Sequence, residues 1–183
     1  LGIVPDVSVA PQNTIYNAAN ALIMVGETHG ELGGSALAHA LSAYDGEAPK
    51  PNENALQIAQ SVYAVIRSGT VEACHDCSEG GLGIALAEMV MDSPIGLEID
   101  VDRVPRSQDM SNARLLFCES STRYLLAVPE TEVERVCALL KHVPHAVIGK
   151  STNQQELRVS SGDTLLGRWT TETLFDAHHS NPE

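Results

Sequence analysis

The chain has 183 residues, of which 43% are apolar, and it carries 11 Lys and Arg against 24 Asp and Glu, a formal net charge of −13. That length suits one globular domain, or at most two small ones, with enough apolar mass to bury a core without metals or disulfides. The charge argues against duplex nucleic acid and anionic membrane as partners of the surface as a whole, and no apolar run reaches the roughly 18–20 residues of a membrane span.

A local anion site stays open, because backbone N–H groups build one without basic side chains. The opening residues do not read as a basic-then-apolar leader. Four cysteines do not make a disulfide scaffold at this length, so a reducing cytoplasm is the expected location. The opening LGIVPDVSVAP starts on Leu1 and reads as a piece of a longer protein.

Residues 1–20 mix prolines and asparagines with short apolar stretches, predicting a leading strand and turns. Residues 21–25, ALIMV, read as a buried strand closed by Gly26, and 27–35, ETHGELGGS, as a polar glycine-rich turn. Leu37, Ala40, Leu41 and Tyr44 recur at helical spacing, as do Leu56, Ala59, Val62, Tyr63 and Ile66 after a loop over 45–54. Residues 70–74 predict a strand, 75–81 a second polar turn, and Leu82, Ala85, Leu86, Met89 and Val90 a third helix. Residues 96–101 alternate as a half-buried strand does, whereas 102–114 are polar and carry Pro105. Residues 123–128 predict a strand. Pro129, Glu130 and Glu132 suit the first turn of a helix whose apolar face is Val133, Val136, Cys137 and Leu140. Strands follow at 146–148 and 157–159, then a helix over 171–177 and a tail from His178. The order predicts one mixed α/β domain over 1–177, with helices packed on a sheet, and a tail over 178–183.

Two strand-to-helix turns concentrate the chemistry. In CHDCSEGGLG, residues 74–83, Gly80 and Gly81 let the backbone approach a ligand, Asp76 and Glu79 are hard oxygen donors suited to Mg²⁺, and His75 is placed to donate to a phosphate or to orient Asp76. The same residues also make an ordinary capped turn, with Ser78 or Asp76 as the cap. In ETHGELGGS, Gly33, Gly34 and Ser35 offer a second cradle, or a turn with Ser35 as cap. If the two strands are neighbours, both helix N-termini face one crevice. Neither turn is a Walker loop or a dinucleotide fingerprint. Cys74 and Cys77 form a lone C-x-x-C without a second pair, so small buried hydrophobes are the favoured reading over zinc or redox use. A third polar cluster, Glu119 to Arg123, offers Arg123 to a carboxylate or phosphate, with a surface ion pair as the favoured alternative. Trp169 is predicted in the core, and His178 and His179 in solvent.

The segments ALIMVGETHGELGGSALAHAL, ACHDCSEGGLGIALAEMV, LLFCESSTRYLLAVP and VPHAVIGKST, in this order, resemble the C-terminal domain of the phosphoribosylformylglycinamidine synthase family, within the aminoimidazole ribonucleotide synthetase superfamily. The resemblance covers about residues 1–170. It implies the superfamily's three-layer α/β C-terminal domain, the last domain of a pseudo-dimeric ligase of purine biosynthesis. It also implies ATP-dependent amidation of formylglycinamide ribonucleotide with ammonia from glutamine, through an iminophosphate. ATP and Mg²⁺ are the implied cofactors, bound together with other domains. The implied partners are the preceding domains and a glutaminase, with a homodimer left open. Asp76, Ser78, Glu79, Gly80 and Gly81 match the family's His-Asp-x-Ser-Asp-Gly-Gly phrase; position 79 departs from it, carrying Glu where Asp is usual.

The residue reading and the resemblance together give Asp76 and Glu79 as the expected metal ligands, and Gly33, Gly34, Ser35, His75, Ser78, Gly80, Gly81 and Arg123 as the expected phosphate or substrate contacts. No catalytic residue is implied in this chain. Two other expectations stand beside the ligase: a non-catalytic wall holding a structural nucleotide, and a relative such as selenophosphate synthetase, thiamine-monophosphate kinase or the hydrogenase-maturation dehydratase. The ELGGS phrase argues against the relatives.

Overall fold

The computed structural model describes residue 4 and residues 6–43 and 46–180. One sheet is built from β1 (Asn20–Val25), β2 (Ala73–Asp76), β3 (Gly96–Asp100), β4 (Tyr124–Pro129), β5 (His145–Thr152), β6 (Glu156–Ser161) and β7 (Thr164–Thr170). The order across it is β2-β4-β1-β5-β3-β6-β7, and the pairs are antiparallel except β3 with β6.

Helices cover both faces and make the predicted three layers. Leu22 and Met24 of β1 and Leu125 and Ala127 of β4 share one core with Leu82 and Leu86 of α3 (Gly81–Glu88) and Leu115 of α4 (Asn112–Phe117). The alternate residues Ala21, Ile23, Val25, Leu126 and Val128 share the other core with Ile58, Val62 and Val65 of α2 (Ala55–Arg67) and Val136 and Leu140 of α5 (Val133–Leu140). A strand buried on both faces reads as an unbroken apolar run, which is why residues 21–25 are legible. Each fully buried Leu, Ile or Met contributes about 1.5–3 kcal/mol of transfer free energy, so the doubly covered strands β1 and β4 anchor the domain. A shorter helix, α1 (Ala36–Ala40), follows the ELGGS phrase, and α6 (Thr171–His179) closes the chain. No helix among the described residues is long and apolar enough to cross a membrane.

The structure corrects several local expectations. The leading segment holds no strand among its described residues; it makes a 3-10 turn at Val7–Val9 and a single bridge from Gln12 to Ala73. The first predicted helix is only α1: Ser42 adopts φ +50, Leu41 is exposed, and Tyr44 and Asp45 lie outside the described residues. β2 begins later than predicted, so His75 and Asp76 are strand residues rather than turn residues. α4, which starts at the end of the stretch 102–114 read as polar, was unforeseen, although Ser111 caps it by accepting the Arg114 amide at 3.3 Å. Pro129 ends β4, and Glu130–Glu132 form a 3-10 turn before α5. β7 was also unforeseen. Its every residue is exposed or half-buried, so Trp169 stays 41% exposed instead of entering the core. α6 runs through His178 to His179, whose ring stacks on Phe175 at 4.0 Å.

Candidate functional site

Strand register brings the polar phrases together. β4 lies between β1 and β2 and runs antiparallel to both, with Tyr124 opposite Val25 on one side and opposite Asp76 on the other. The C-terminal ends of β1 and β2 therefore flank the start of β4. The strands of the two cradles are not neighbours, whereas adjacency was the condition under which the sequence put both helix N-termini at one crevice. The segment leading into β4 sits between their turns and joins them.

Glu119 makes that joint. One carboxylate oxygen, Oε1, accepts the amide of Ala36 at the start of α1 and the amide of Gly80 before α3, each at 2.8 Å. Ser35 caps α1 separately, its Oγ accepting the Ala38 amide at 3.1 Å. Gly80 has φ +75 and no side chain to cap α3, so the cap comes from Glu119. A carboxylate is favoured where two helix N-termini meet, because both present positive partial charge. The backbone of the same segment is held too. The Glu119 amide donates to the Glu31 carbonyl at 3.3 Å, and Ser120 Oγ accepts the His29 amide at 2.9 Å while donating to the Glu31 carboxylate.

Arg123 is 1% exposed. Its Nε donates to the Ser120 carbonyl at 2.8 Å, Nη2 to the Cys118 carbonyl at 2.6 Å and Nη1 to Thr28 Oγ1 at 3.2 Å. The favoured surface ion pair is thus overturned. The guanidinium is a buried clamp on the 118–123 segment, and its donors on all three nitrogens are directed at protein atoms.

A cavity of about 760 Å³ opens at this end of the sheet, and its lining includes Gly34, Ser35, Asp76, Ser78, Glu79 and Glu119. Arg123 also reaches its wall. The Asp76 side chain is 62% exposed and Glu79 is exposed. Among the described residues no group of three or more His, Cys, Asp or Glu is arranged to hold a metal. Two exposed carboxylates, that of Asp76 with His75 Nδ1 3.8 Å away, fit a Mg²⁺ that draws its other ligands from phosphate and water, not a closed protein cage. A comparable hollow of about 770 Å³, bordered by Glu98, Asp100, Lys150 and Arg158, carries none of the predicted residues.

Four predicted residues do not line the cavity. His75 points Nε2 to the Glu88 carboxylate of α3 at 3.3 Å and Nδ1 to the Asp76 carbonyl at 2.7 Å. The Gly33 amide donates to the Glu47 carbonyl at 2.9 Å, and a Cβ there would lie 2.4 Å from the Gly46 oxygen. A Cβ on Gly81, where φ is +65, would lie 2.3 Å from the Cys118 oxygen. Gly80 gives its amide to Glu119. The close approach that Gly33 and Gly81 permit is to the protein's own backbone, and at Gly80 it is to the Ile84 side chain, rather than to a ligand. Gly34 differs: its φ is +75 and nothing lies within 4 Å of a Cβ built there.

Burial pushes the Cys74 thiol up to about 11 and the Cys77 thiol to about 12, with Asp76 adding to the rise at both and Arg123 opposing it at Cys77. Neutral, sheltered thiols are poor nucleophiles and metal ligands, in keeping with their reading as small hydrophobes. Burial also raises the Tyr124 phenol at the cavity wall, with Asp76 next in effect. Glu119 is the residue that sequence reasoning missed. Its cluster was singled out, but a glutamate that caps two distant helices leaves no local periodicity.

Comparison with known proteins bears on the same segments. A family model described as "AIR synthase related protein, C-terminal domain" matches residues 18–162. A phosphoribosylformylglycinamidine synthase subunit PurL from Thermococcus kodakarensis is 36% identical over 161 residues, covering 87% of this chain and 22% of the relative. The PurL of a Bradyrhizobium species is 36% identical over 184 residues, covering 97% and 24%. The chain thus spans less than a quarter of the length of these relatives. The crystal structure of phosphoribosylformylglycinamidine synthase II from Thermotoga maritima matches with a TM-score of 0.79 at 17% identity, covering 92% of this chain and 28% of that one. T. maritima PurL complexed with ATP and with FGAR matches with a TM-score of 0.76 in each case, at 16% identity, covering 92% of this chain and 28% and 30% of those. At such identity these structures speak for the fold.

Proposed function

Since the chain belongs to the family of AIR synthase related protein C-terminal domains, we propose that it serves as the C-terminal domain of an ATP-dependent phosphoribosylformylglycinamidine synthase. The reaction is amidation of formylglycinamide ribonucleotide: the amide oxygen is phosphorylated by ATP, and ammonia then displaces the phosphate. This domain supplies one wall of a nucleotide or substrate cleft, and other domains of the synthase supply the rest. A glutaminase provides ammonia, and the setting is the cytoplasm. Support comes from the curated relatives, and from the fold shared with PurL structures that hold ATP and FGAR.

The observation that carries this reading is the cavity at which the ELGGS and HDCSEGG turns meet, with Asp76 and Glu79 on its rim. A cation that bridges carboxylate and phosphate lets a −13 domain serve phosphorylated ligands. Asp76 and Glu79 would hold Mg²⁺, which neutralises phosphate charge when bound. The remaining work of this chain is positional. Ser35 fixes the first turn of α1, and Gly34 leaves the adjoining surface open. Arg123 and Ser120 keep the segment between the turns rigid, and His75 ties β2 to α3 through Glu88.

Turnover assays test the proposal. The complete synthase should form amidine from ATP, formylglycinamide ribonucleotide and ammonia, whereas this chain by itself should form none. Amidine produced by the chain alone, or none produced by the complete protein, would refute it.

A further inference from the structure

The carboxylate of Glu119 lies in the cavity wall, yet it is engaged differently from Asp76 and Glu79. Its Oε1 accepts two amides from elements 44 positions apart in sequence, Ala36 and Gly80. Because both hydrogens reach the same oxygen, the two nitrogens are held no further apart than the sum of the two bonds. Ala36 adjoins Gly34 and Ser35, and Gly80 adjoins Ser78 and Glu79, all four of which line the cavity. Ser35 caps α1 at the Ala38 amide, and the bond from the Ala36 amide satisfies a second donor of the helix start. That bond links one lip of the cavity to the other. The residue itself cannot drift: Glu31 holds its amide, Ser120 is bonded next to it, and Arg123 grips the carbonyls of Cys118 and Ser120 on either side.

We infer that Glu119 is a positioning residue that fixes the spacing between the two lips of the proposed nucleotide wall, acting as a hydrogen-bond acceptor rather than as a charge. The inference rests on the nucleotide reading of this cavity. It divides the labour among three acids: Asp76 and Glu79 face the ligand, while Glu119 sets where the Ser78–Glu79 lip stands against Gly34 and Ser35. Helix N-termini offset the Glu119 charge, so it does not compete for the cation. A glutamine oxygen in the same place still accepts both amides. An aspartate, one methylene shorter, does not reach both.

The test uses the complete synthase with saturating formylglycinamide ribonucleotide and ammonia, measuring kcat and the KM for ATP beside thermal melting. Glu119→Ala should raise the ATP KM about tenfold or more, the scale of misplaced binding groups. Glu119→Gln should restore it to within about threefold, and Glu119→Asp should resemble the alanine variant. An alanine variant with unchanged KM, or a glutamine variant as impaired as alanine, would overturn the inference. If Glu119→Ala does not fold, the comparison of Gln with Asp decides: equal KM values overturn it, and impairment of Asp alone supports it. Asp76→Asn in the same assay separates the two levels. Its failure to move either constant overturns the nucleotide reading itself, whereas impairment there with none in Glu119→Ala overturns only the positioning role.

Discussion

A single carboxylate oxygen of Glu119 lies 2.8 Å from the amide nitrogen of Gly80, joining the segment that enters β4 to the turn that starts α3. Gly80 has no side chain with which to cap its helix, and Glu119 supplies the missing acceptor from 39 residues away. The contact makes the cavity a product of three separate chain segments, so substitutions in any of them should register at the same place.

Asp76→Asn in the complete synthase should weaken Mg-nucleotide binding by at least ~1 kcal/mol, the scale of one charge-assisted interaction. A Mg²⁺ titration of the ATP KM measures this. Unchanged constants would remove Asp76 from the ligand set.

Two glycines with similar backbone angles should respond differently to alanine. Gly34 and Gly81 have φ of +75 and +65, so each alanine carries a left-handed penalty of roughly 1–2 kcal/mol. At Gly34 nothing stands near the new methyl, while at Gly81 it meets the Cys118 oxygen at 2.3 Å. Overpacking should add about 1–3 kcal/mol to Gly81→Ala. Chemical denaturation of the two variants provides the comparison, and equal losses would contradict the packing described.

Arg123→Met should lower stability by about 3 kcal/mol or more, since the Ser120 and Cys118 carbonyls and the Thr28 hydroxyl lose their buried donor. Arg123→Lys should recover little of it, because an ammonium lacks the planar fork that reaches all three. A lysine variant melting with the wild type would show that charge, not geometry, holds the segment.

Alkaline unfolding should involve Cys77. The folded protein holds this proton up to about 12 against an ordinary thiol value of 9.0. The raised value means that the stabilisation is complete below pH 9.0 and drains away as pH climbs through the folded value. Cys77→Ala should therefore flatten the stability profile above pH 9.0 relative to the wild type. A profile of unaltered slope would refute the assignment. At neutral pH the folded protein should resist alkylation at Cys74 and Cys77 alike.

The amino-acid sequence by itself determined the doubly covered strand at 21–25, the amphipathic helices α2 and α5, and the two glycine-bearing turns. In each, the information is local: periodicity, capping and turn chemistry are written within a few residues. It did not reveal β7, whose residues, Leu165, Leu166 and Trp169 among them, lie largely exposed and follow no burial pattern, or α4, whose six residues are too few for a period to emerge. Nor did it reveal that Gly33 and Gly81 serve backbone packing, that Arg123 is a buried clamp, or that Glu119 spans two helix starts. Those facts depend on β4 inserting between β1 and β2, which sets residues distant in the chain side by side. Hydrogen bonds across such distances leave no spacing to read, so only the folded arrangement decides them.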